Sequence, residues 1–218
     1  MPAPSLRTEI HRKPQRANYD TTTIYAIVDE ALLCHIAFRD DAGVHCLPTA
    51  CWREGDHLYI HGANNSRLIG ALLAGECSVG ITHLDGLVLA RSIFHHSMNY
   101  RSVVIYGRFV QVDAQQDKES ALMAFLEHIS PGRGDQTRPP SAAELAGTTV
   151  LRMPLIEAAA KIRNWGAEDS VDDLAIPVWA GVVPLRMLAG SPQPEDGCAD
   201  RPASSVPDFL AVSIARSA

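Results

Sequence analysis

The stretch from Cys46 to Arg67, CLPTACWREGDHLYIHGANNSR, limits the possible folds more than any other. His45 to Trp52 and His57 to Gly62 are apolar-rich runs, and Glu54-Gly55-Asp56 between them supplies tight-turn chemistry, so two paired strands are predicted. Ala63-Asn64-Asn65-Ser66-Arg67 then leads into Leu68, Ile69, Ala71, Leu72 and Leu73, which read as a helix. A small polar loop that opens a helix presents unpaired backbone N–H groups, a hydroxyl and a guanidinium, a plausible seat for a phosphate. The same residues also read as an ordinary helix start, with Asn65 or Ser66 as the cap and Arg67 solvated.

The rest of the chain repeats the strand-and-turn pattern. Asp20 is placed to cap a helix through Thr23, Ile24, Ile27 and Val28. Ala31 to Phe38 reads as a buried strand, and Arg39-Asp40-Asp41-Ala42-Gly43 as a hairpin turn. Cys77 to Thr82, Leu87 to Phe94, Ser102 to Val112 and Thr148 to Ala159 are further strands, with Asp85-Gly86 as a second turn. Between two of them, HHSMNYR at residues 95–101 is too polar for a core strand. Gln115 to Ile129 has helical period, and Ser141 with Glu144 three residues on forms a capping-box pattern. Hairpins dominate and no βαβ alternation occurs, so the expected fold is mainly β, a barrel with peripheral helices. The division expected is a domain over residues 1–189, beginning with an N-terminal arm, and a Pro/Ser/Gly-rich C-terminal tail over 190–218. Within that tail Pro207 to Leu210 reads as the start of a short terminal helix.

Composition narrows the class. Hydrophobic residues make up 46% of the chain, enough for a substantial core, and the formal net charge is −6. That balance argues against a nucleic-acid or anionic-membrane partner, which requires a broad basic surface. Cys34, Cys46, Cys51, Cys77 and Cys198 are odd in number with no CxxC pair, which reads as free thiols in a reducing compartment. With no apolar run at the N-terminus and no stretch of membrane-spanning length, a cytoplasmic location is expected. His95 and His96 are neighbours that would point to opposite faces of a strand, so they cannot chelate a metal together and no metal site is predicted.

Five segments, taken together and in order, resemble the FMN-binding split β-barrel family, the pyridoxamine 5′-phosphate oxidase-like flavoproteins. They are LPTACW (47–52), LYIHGANNSRL (58–68), LDGLVLARSIFHHSMNYRSVVIYG (84–107), EAAAKIR (157–163) and WAGVVPL (179–185). Within that family the chain looks most similar to the branch that includes the nitroimidazole-resistance reductases. The resemblance implies a homodimer of split barrels, with FMN in a cleft at the subunit interface.

The resemblance also implies site residues. Cys46, Leu47, Pro48, Thr49, Ala50 and Cys51 match the strand that runs along the isoalloxazine. His61 and Gly62 follow the next strand, and His61 is the candidate catalytic residue, lying near the flavin. Ser66 and Arg67 match the Ser-Arg that binds the FMN phosphate. Asn99, Tyr100, Arg101 and Ser102 would line the cleft, and Lys161 and Arg163 would contribute late residues, one of them as a second phosphate-binding cation. Leu68 stands where the oxidases carry Lys, Ser102 where they carry Gln, and Cys51 where their strand ends with Lys. The cleft should therefore favour a neutral aromatic acceptor, nitroaromatic or quinone-like, over a phosphorylated one. The function implied is an FMN-dependent oxidoreductase fed by reduced nicotinamide. The alternatives are pyridoxamine or pyridoxine phosphate oxidation and a non-catalytic flavin- or haem-binding protein. Some relatives of the fold bind haem, so one of His95 and His96 is a candidate axial ligand.

Overall fold

The computed structural model describes residues 1–212. The N-terminal arm leads into β1 (Ala17–Asn18) and α1 (Thr21–Asp29). Asp20 caps α1 as expected, its carboxylate accepting from the Thr23 N–H at 3.0 Å. β2 (Leu33–Asp40) and β3 (Gly43–Ala50) form a hairpin whose two-residue turn closes on Gly43, at φ 125°, a conformation that favours glycine. β4 (Trp52–Glu54) and β5 (His57–Ala63) follow, then α2 (Arg67–Ala74), and then β6 (Cys77–Leu89) and β7 (Ser97–Gly107). β8 (Val110–Gln111), α3 (Gln115–Ile129), α4 (Ala142–Gly147), β9 (Thr148–Pro154) and β10 (Ala158–Arg163) complete the barrel. β11 (Gly181–Pro184), β12 (Leu188–Ala189) and β13 (Ala211–Val212) are added on its outside.

Two antiparallel sheets make the barrel. One runs β1-β10-β7-β6-β2-β3, with β11 paired to β6, and the other runs β4-β5-β9-β8. The chain crosses between them four times, from β3 to β4, β5 to β6, β7 to β8 and β9 to β10. The predicted strand from His45 to Trp52 breaks at Cys51, where β3 leaves the first sheet and β4 enters the second. The predicted strand from Thr148 to Ala159 breaks at residues 155–157 in the same way. These breaks are corners of a split barrel, and no turn residue within them marks them in the sequence. That core combines Ile27 and Val28 of α1 with Ile36, Leu58, Ile60, Val79, Ile81, Val103, Ile105, Leu151 and Met153, and Leu72 of α2 closes it. A second, smaller cluster lies under α3, where Trp52 and Val150 meet Ala121 and Phe125.

Asp85-Gly86 is not a turn. β6 runs through it, with a β-bulge between Leu84 and Gly86 in its ladder to β7. The buried positions show the slip: Cys77, Val79 and Ile81 before the bulge, Gly86 and Val88 after it, a one-residue change of phase. Gly86 is also required by close approach, since a Cβ there would lie 3.0 Å from the Val183 carbonyl oxygen on β11. Beyond the bulge, β6 and the start of β7 form an arm. β6 ends at Leu89, short of Phe94, and residues 97–101 of the polar HHSMNYR segment are strand after all. There the alternation points Asn99 inward and leaves Met98 exposed. β7 ends at Gly107, before Val112, and Pro207 to Leu210 forms a turn rather than a helix.

The first seventeen residues are docked. Arg7 donates to both Glu157, at 2.8 Å, and Glu76, at 3.1 Å, and the Lys161 ammonium donates to the Arg12 carbonyl at 3.0 Å. β1 then pairs with β10, Ala17 opposite Lys161. The segment after Ala189 folds back as well. Ser130 donates to the Ser205 carbonyl at 2.8 Å, and β12 pairs in parallel with β13.

Candidate functional site

Among the described residues β3 is the edge of its sheet, bonded to β2 alone, so alternate N–H and C=O groups along it point outward. Pro48, which has no N–H to give a neighbouring strand, sits in that edge and leaves it open to a ligand but closed to another strand. Cys46, Leu47 and Pro48 are exposed, and Thr49 and Ala50 are half-buried. Cys51 is fully buried beside Cys34, so only its backbone can face the groove. Its contact and the burial push the Cys34 thiol far above its ordinary range. Neither is a nucleophile.

The start of α2 lies at the Cys46 end of this edge. Ser66 is the N-cap residue, yet its hydroxyl makes no capping bond, which removes the simple capping role and leaves that oxygen free. The Arg67 side chain is 56% exposed and reaches back to the β2–β3 hairpin, where its Nε donates to Asp40 at 2.6 Å and Nη2 touches the His45 ring. His45 Nε2 lies 2.9 Å from the other Asp40 oxygen, and the Ala42 N–H donates to that same oxygen. Since a carboxylate can only accept, His45 is the donor there. Arg67, with smaller help from His45 and Ala42, holds the Asp40 carboxyl well below the usual range. The result is an exposed cation and a free hydroxyl at a helix start, beside a backbone edge lined by small side chains. Asp40 occupies the guanidinium and would have to yield to an incoming phosphate. Sequence reading took Asp40 as a turn residue and His45 as a strand residue, and nothing local marks them as partners of Arg67.

The other expected residues gather elsewhere. Asn99, Tyr100, Arg101 and Ser102 on β7 face Lys161 and Arg163 on β10, with Tyr100 opposite Arg163 and Ser102 opposite Lys161. Ser102 donates to the Lys161 carbonyl at 3.2 Å. Arg101 is held by Asp85, at 2.9 and 3.0 Å, and by Glu30 at 2.7 Å. Arg163 is 2% exposed and donates to the Asn99 side-chain oxygen at 2.5 Å.

Strand register shows that this group and Arg67 do not meet within one chain. Ala37 on β2 aligns through Ser78 with Tyr106, whereas Arg163 aligns with Tyr100. Six residues of strand separate the two levels, about 20 Å. Neither Lys161 nor Arg163 can therefore share a phosphate with Arg67 of its own chain.

His61 lies on β5. Its ring packs against Phe125 and Trp52, at centroid separations of 4.8 and 5.8 Å, and its Nδ1 is buried without a partner. Burial pushes its pKa down, so it stays neutral. Gly62 is half-buried, packed close to Ile69 of α2.

The β6–β7 arm has a different character. Ile93, Phe94 and Met98 are 97%, 91% and 52% exposed. Beside them His96 Nδ1 lies 2.8 Å from the Ser92 carbonyl oxygen. A carbonyl only accepts, so Nδ1 carries the proton and the lone pair of the neutral ring is on Nε2. Among the described residues no three His, Cys, Asp or Glu side chains converge as a metal cage.

A split barrel with an open edge strand and a Ser-Arg helix start defines a flavin-binding class of fold. The chain belongs to the pyridoxamine 5′-phosphate oxidase family, whose model matches residues 20–162. It is similar to the flavocytochrome Anf3 from Azotobacter vinelandii, at 35% identity over 95% of this chain and 96% of that one, with a TM-score of 0.87. It is also similar to the FAD and haem binding protein from Mycobacterium smegmatis, at 31% identity over 89% and 95% of the two chains, TM-score 0.82. A 5-nitroimidazole antibiotic resistance protein from Bacteroides thetaiotaomicron shares the fold, at 20% identity, 67% and 86% coverage and TM-score 0.57. No curated protein matches the chain by sequence. Among the described residues no helix is long and apolar enough to cross a membrane.

Proposed function

We propose that the protein is a flavin-dependent redox protein that also binds haem, working as a homodimer in a reducing compartment, the cytoplasm. The observation that carries this reading is His96: its proton is held on Nδ1 by a backbone carbonyl, its Nε2 is left as a ligand, and exposed apolar residues flank it along the chain. A haem-ligating histidine has this arrangement, with the outer nitrogen fixed by a hydrogen bond and the macrocycle resting on apolar surface. The full-length likeness to a flavocytochrome points the same way.

The flavin would be FMN or FAD. Ser66 and Arg67 would hold its phosphate, and the outward backbone groups of Leu47 to Ala50 would run along its ring. When bound, the flavin handles electron pairs and the haem handles single electrons. The chain's own part is to orient and to exclude water. The edge strand would orient the ring, Arg67 would supply positive charge in place of its pairing with Asp40, and the exposed apolar residues of the arm would shield the haem from water. Lys161 and Arg163 lie too far along the sheet, about 20 Å or more, to share a phosphate with Arg67 of the same chain, and a homodimer would let them reach it from the other subunit. The exposed apolar residues of the arm and of residues 171–188, Trp179 and Met187 among them, support such an interface.

Absorbance of the purified full chain tests this reading. Both a flavin spectrum and a Soret band are expected, and His96→Ala should remove the Soret band while leaving the flavin. A flavin spectrum alone, unchanged by haem addition, would sink the haem half. A second reading is favoured by the small side chains of Thr49 and Ala50: transfer from reduced nicotinamide to a neutral nitroaromatic or quinone stacked on the open flavin face. Steady-state turnover with those acceptors, beside aerobic turnover of pyridoxamine phosphate, separates it from vitamin B6 oxidation.

A further inference from the structure

Among the described residues Arg163 is the largest charged side chain that is fully buried, and no carboxylate pairs with it. Its Nη1 donates to Asn99 Oδ1 at 2.5 Å and to the Trp165 carbonyl at 2.6 Å, and its Nη2 to the Gly166 carbonyl at 2.8 Å. All three acceptors are neutral. A second cation stands beside it: the Arg16 guanidinium lies 5.2 Å from the Trp165 ring centroid, and that of Arg163 lies 4.8 Å from the same centroid. Among the described residues neither arginine makes an ion pair, and Glu168 and Tyr100 act on Arg163 only at longer range. Three N–H donors here are buried without an acceptor: Arg16 Nε, Arg163 Nε and the Trp165 indole Nε1.

Two positive charges and three orphaned donors around one indole ring make a costly arrangement, because a buried charge normally has a partner. Burial, followed by the charge of Arg16, pushes the Arg163 guanidinium below its ordinary value. The arrangement is built rather than accidental. The 3₁₀ turn Pro14–Arg16 follows Lys13 in the left-handed region at φ 58°, and pairing of Ala17 with Lys161 then pins Arg16 against the end of β10.

We infer that Arg16, Arg163 and Trp165 form a binding pocket for an oxyanion, a phosphate or a carboxylate, arriving either as a free small anion or as the anionic arm of a larger bound molecule. Guanidinium forks match the oxygens of both groups, and the indole N–H adds a donor that cannot accept and so favours an anion over a cation. The site stands without the flavin and haem reading if the anion is free, and rests on that reading if the anion is the chromophore's own.

The test is titration of the full chain with inorganic phosphate and with acetate at constant ionic strength, read by tryptophan fluorescence and melting temperature. The chain is used as purified and again after removal of any chromophore. Saturable anion binding is expected in the chromophore-free chain. Arg16→Gln should weaken it about tenfold, the loss of one charge-assisted contact, and Arg16→Lys should recover part. Trp165→Phe should remove the fluorescence change but not the melting shift. If phosphate binds equally with and without chromophore, the ligand is a free anion. If the chromophore abolishes the phosphate response and Arg16→Gln weakens chromophore retention, the anion is the chromophore's own. No saturable response in the chromophore-free chain, or an Arg16→Gln titration identical to the parent, would overturn the proposal. Arg16 lies in the half-exposed arm, so this variant keeps the test open even if Arg163 variants fail to fold.

Discussion

Arg67 and Arg163 show how one residue type serves two ends of the same barrel. Arg67 is 56% exposed and neutralised by Asp40, so it can exchange that carboxylate for another anion at little cost. Arg163 is 2% exposed, bound only to neutral oxygens, and cannot leave without stranding them. An exposed ion pair is a switchable contact, whereas a buried guanidinium is a structural commitment. The same contrast separates the two strand ends: the β3 edge is exposed and lined by small side chains, and the end of the β7–β10 pair is buried.

Arg163→Ala should produce the largest effect. It leaves Asn99 and two carbonyls unpartnered, a loss of about 3 kcal/mol or more that should lower the melting temperature by roughly 6–12 °C. If thermal denaturation showed no change, Arg163 would belong with Arg67 as a surface contact and the contrast would fail.

Next comes Arg67→Ala. Affinity for a phosphorylated flavin should fall about tenfold or more, while riboflavin binding changes little, because one charge-assisted bond to phosphate is lost. Equal losses for both flavins would show that Arg67 acts through packing.

Asp40→Asn sharpens the comparison in the opposite direction. Freed of its carboxylate, Arg67 should bind the phosphorylated flavin a few-fold more tightly, a gain of about the size of an exposed ion pair. Weaker binding in this variant would mean that Asp40 positions Arg67 rather than competing for it.

The smallest effect expected concerns acid. Arg7 pulls the Glu157 carboxyl down to about 2, with a smaller contribution from Ser5. A depressed carboxyl contributes stability above its unfolded value, about 4.3, and loses it as pH falls toward 2. Arg7→Gln should therefore flatten the stability profile in that window and leave neutral pH nearly unchanged. A profile that keeps its slope there would detach the N-terminal arm from acid sensitivity.

Much of the fold was legible because the relevant forces are local. Gly55 between apolar runs, the Asp20 cap and the Ser141–Glu144 capping box each act within a few residues, and each appears where the sequence placed it. The corners at Cys51 and at residues 155–157 were not legible, since no turn residue lies within them. The bulge at Asp85-Gly86 carries the residue chemistry of a turn, and only the approach of β11 to Gly86 distinguishes the two.

By itself the sequence determined a mainly β chain with hairpin turns, capped helices, and a Ser-Arg pair opening a helix after a strand. Period, turn residues and caps are written in neighbouring positions, so no partner from far along the chain is needed to read them. Which cations stand together was decided only by the tertiary structure. Strand register puts Arg163 six residues of strand, about 20 Å, from the level of Ala37, and Asp40, which holds Arg67, lies beyond that level. Docking of the first seventeen residues brings Arg16 across 147 positions to Arg163, and folding of the β2–β3 hairpin brings Asp40 to Arg67. Charge pairing acts through space, and spacing along a chain does not record it.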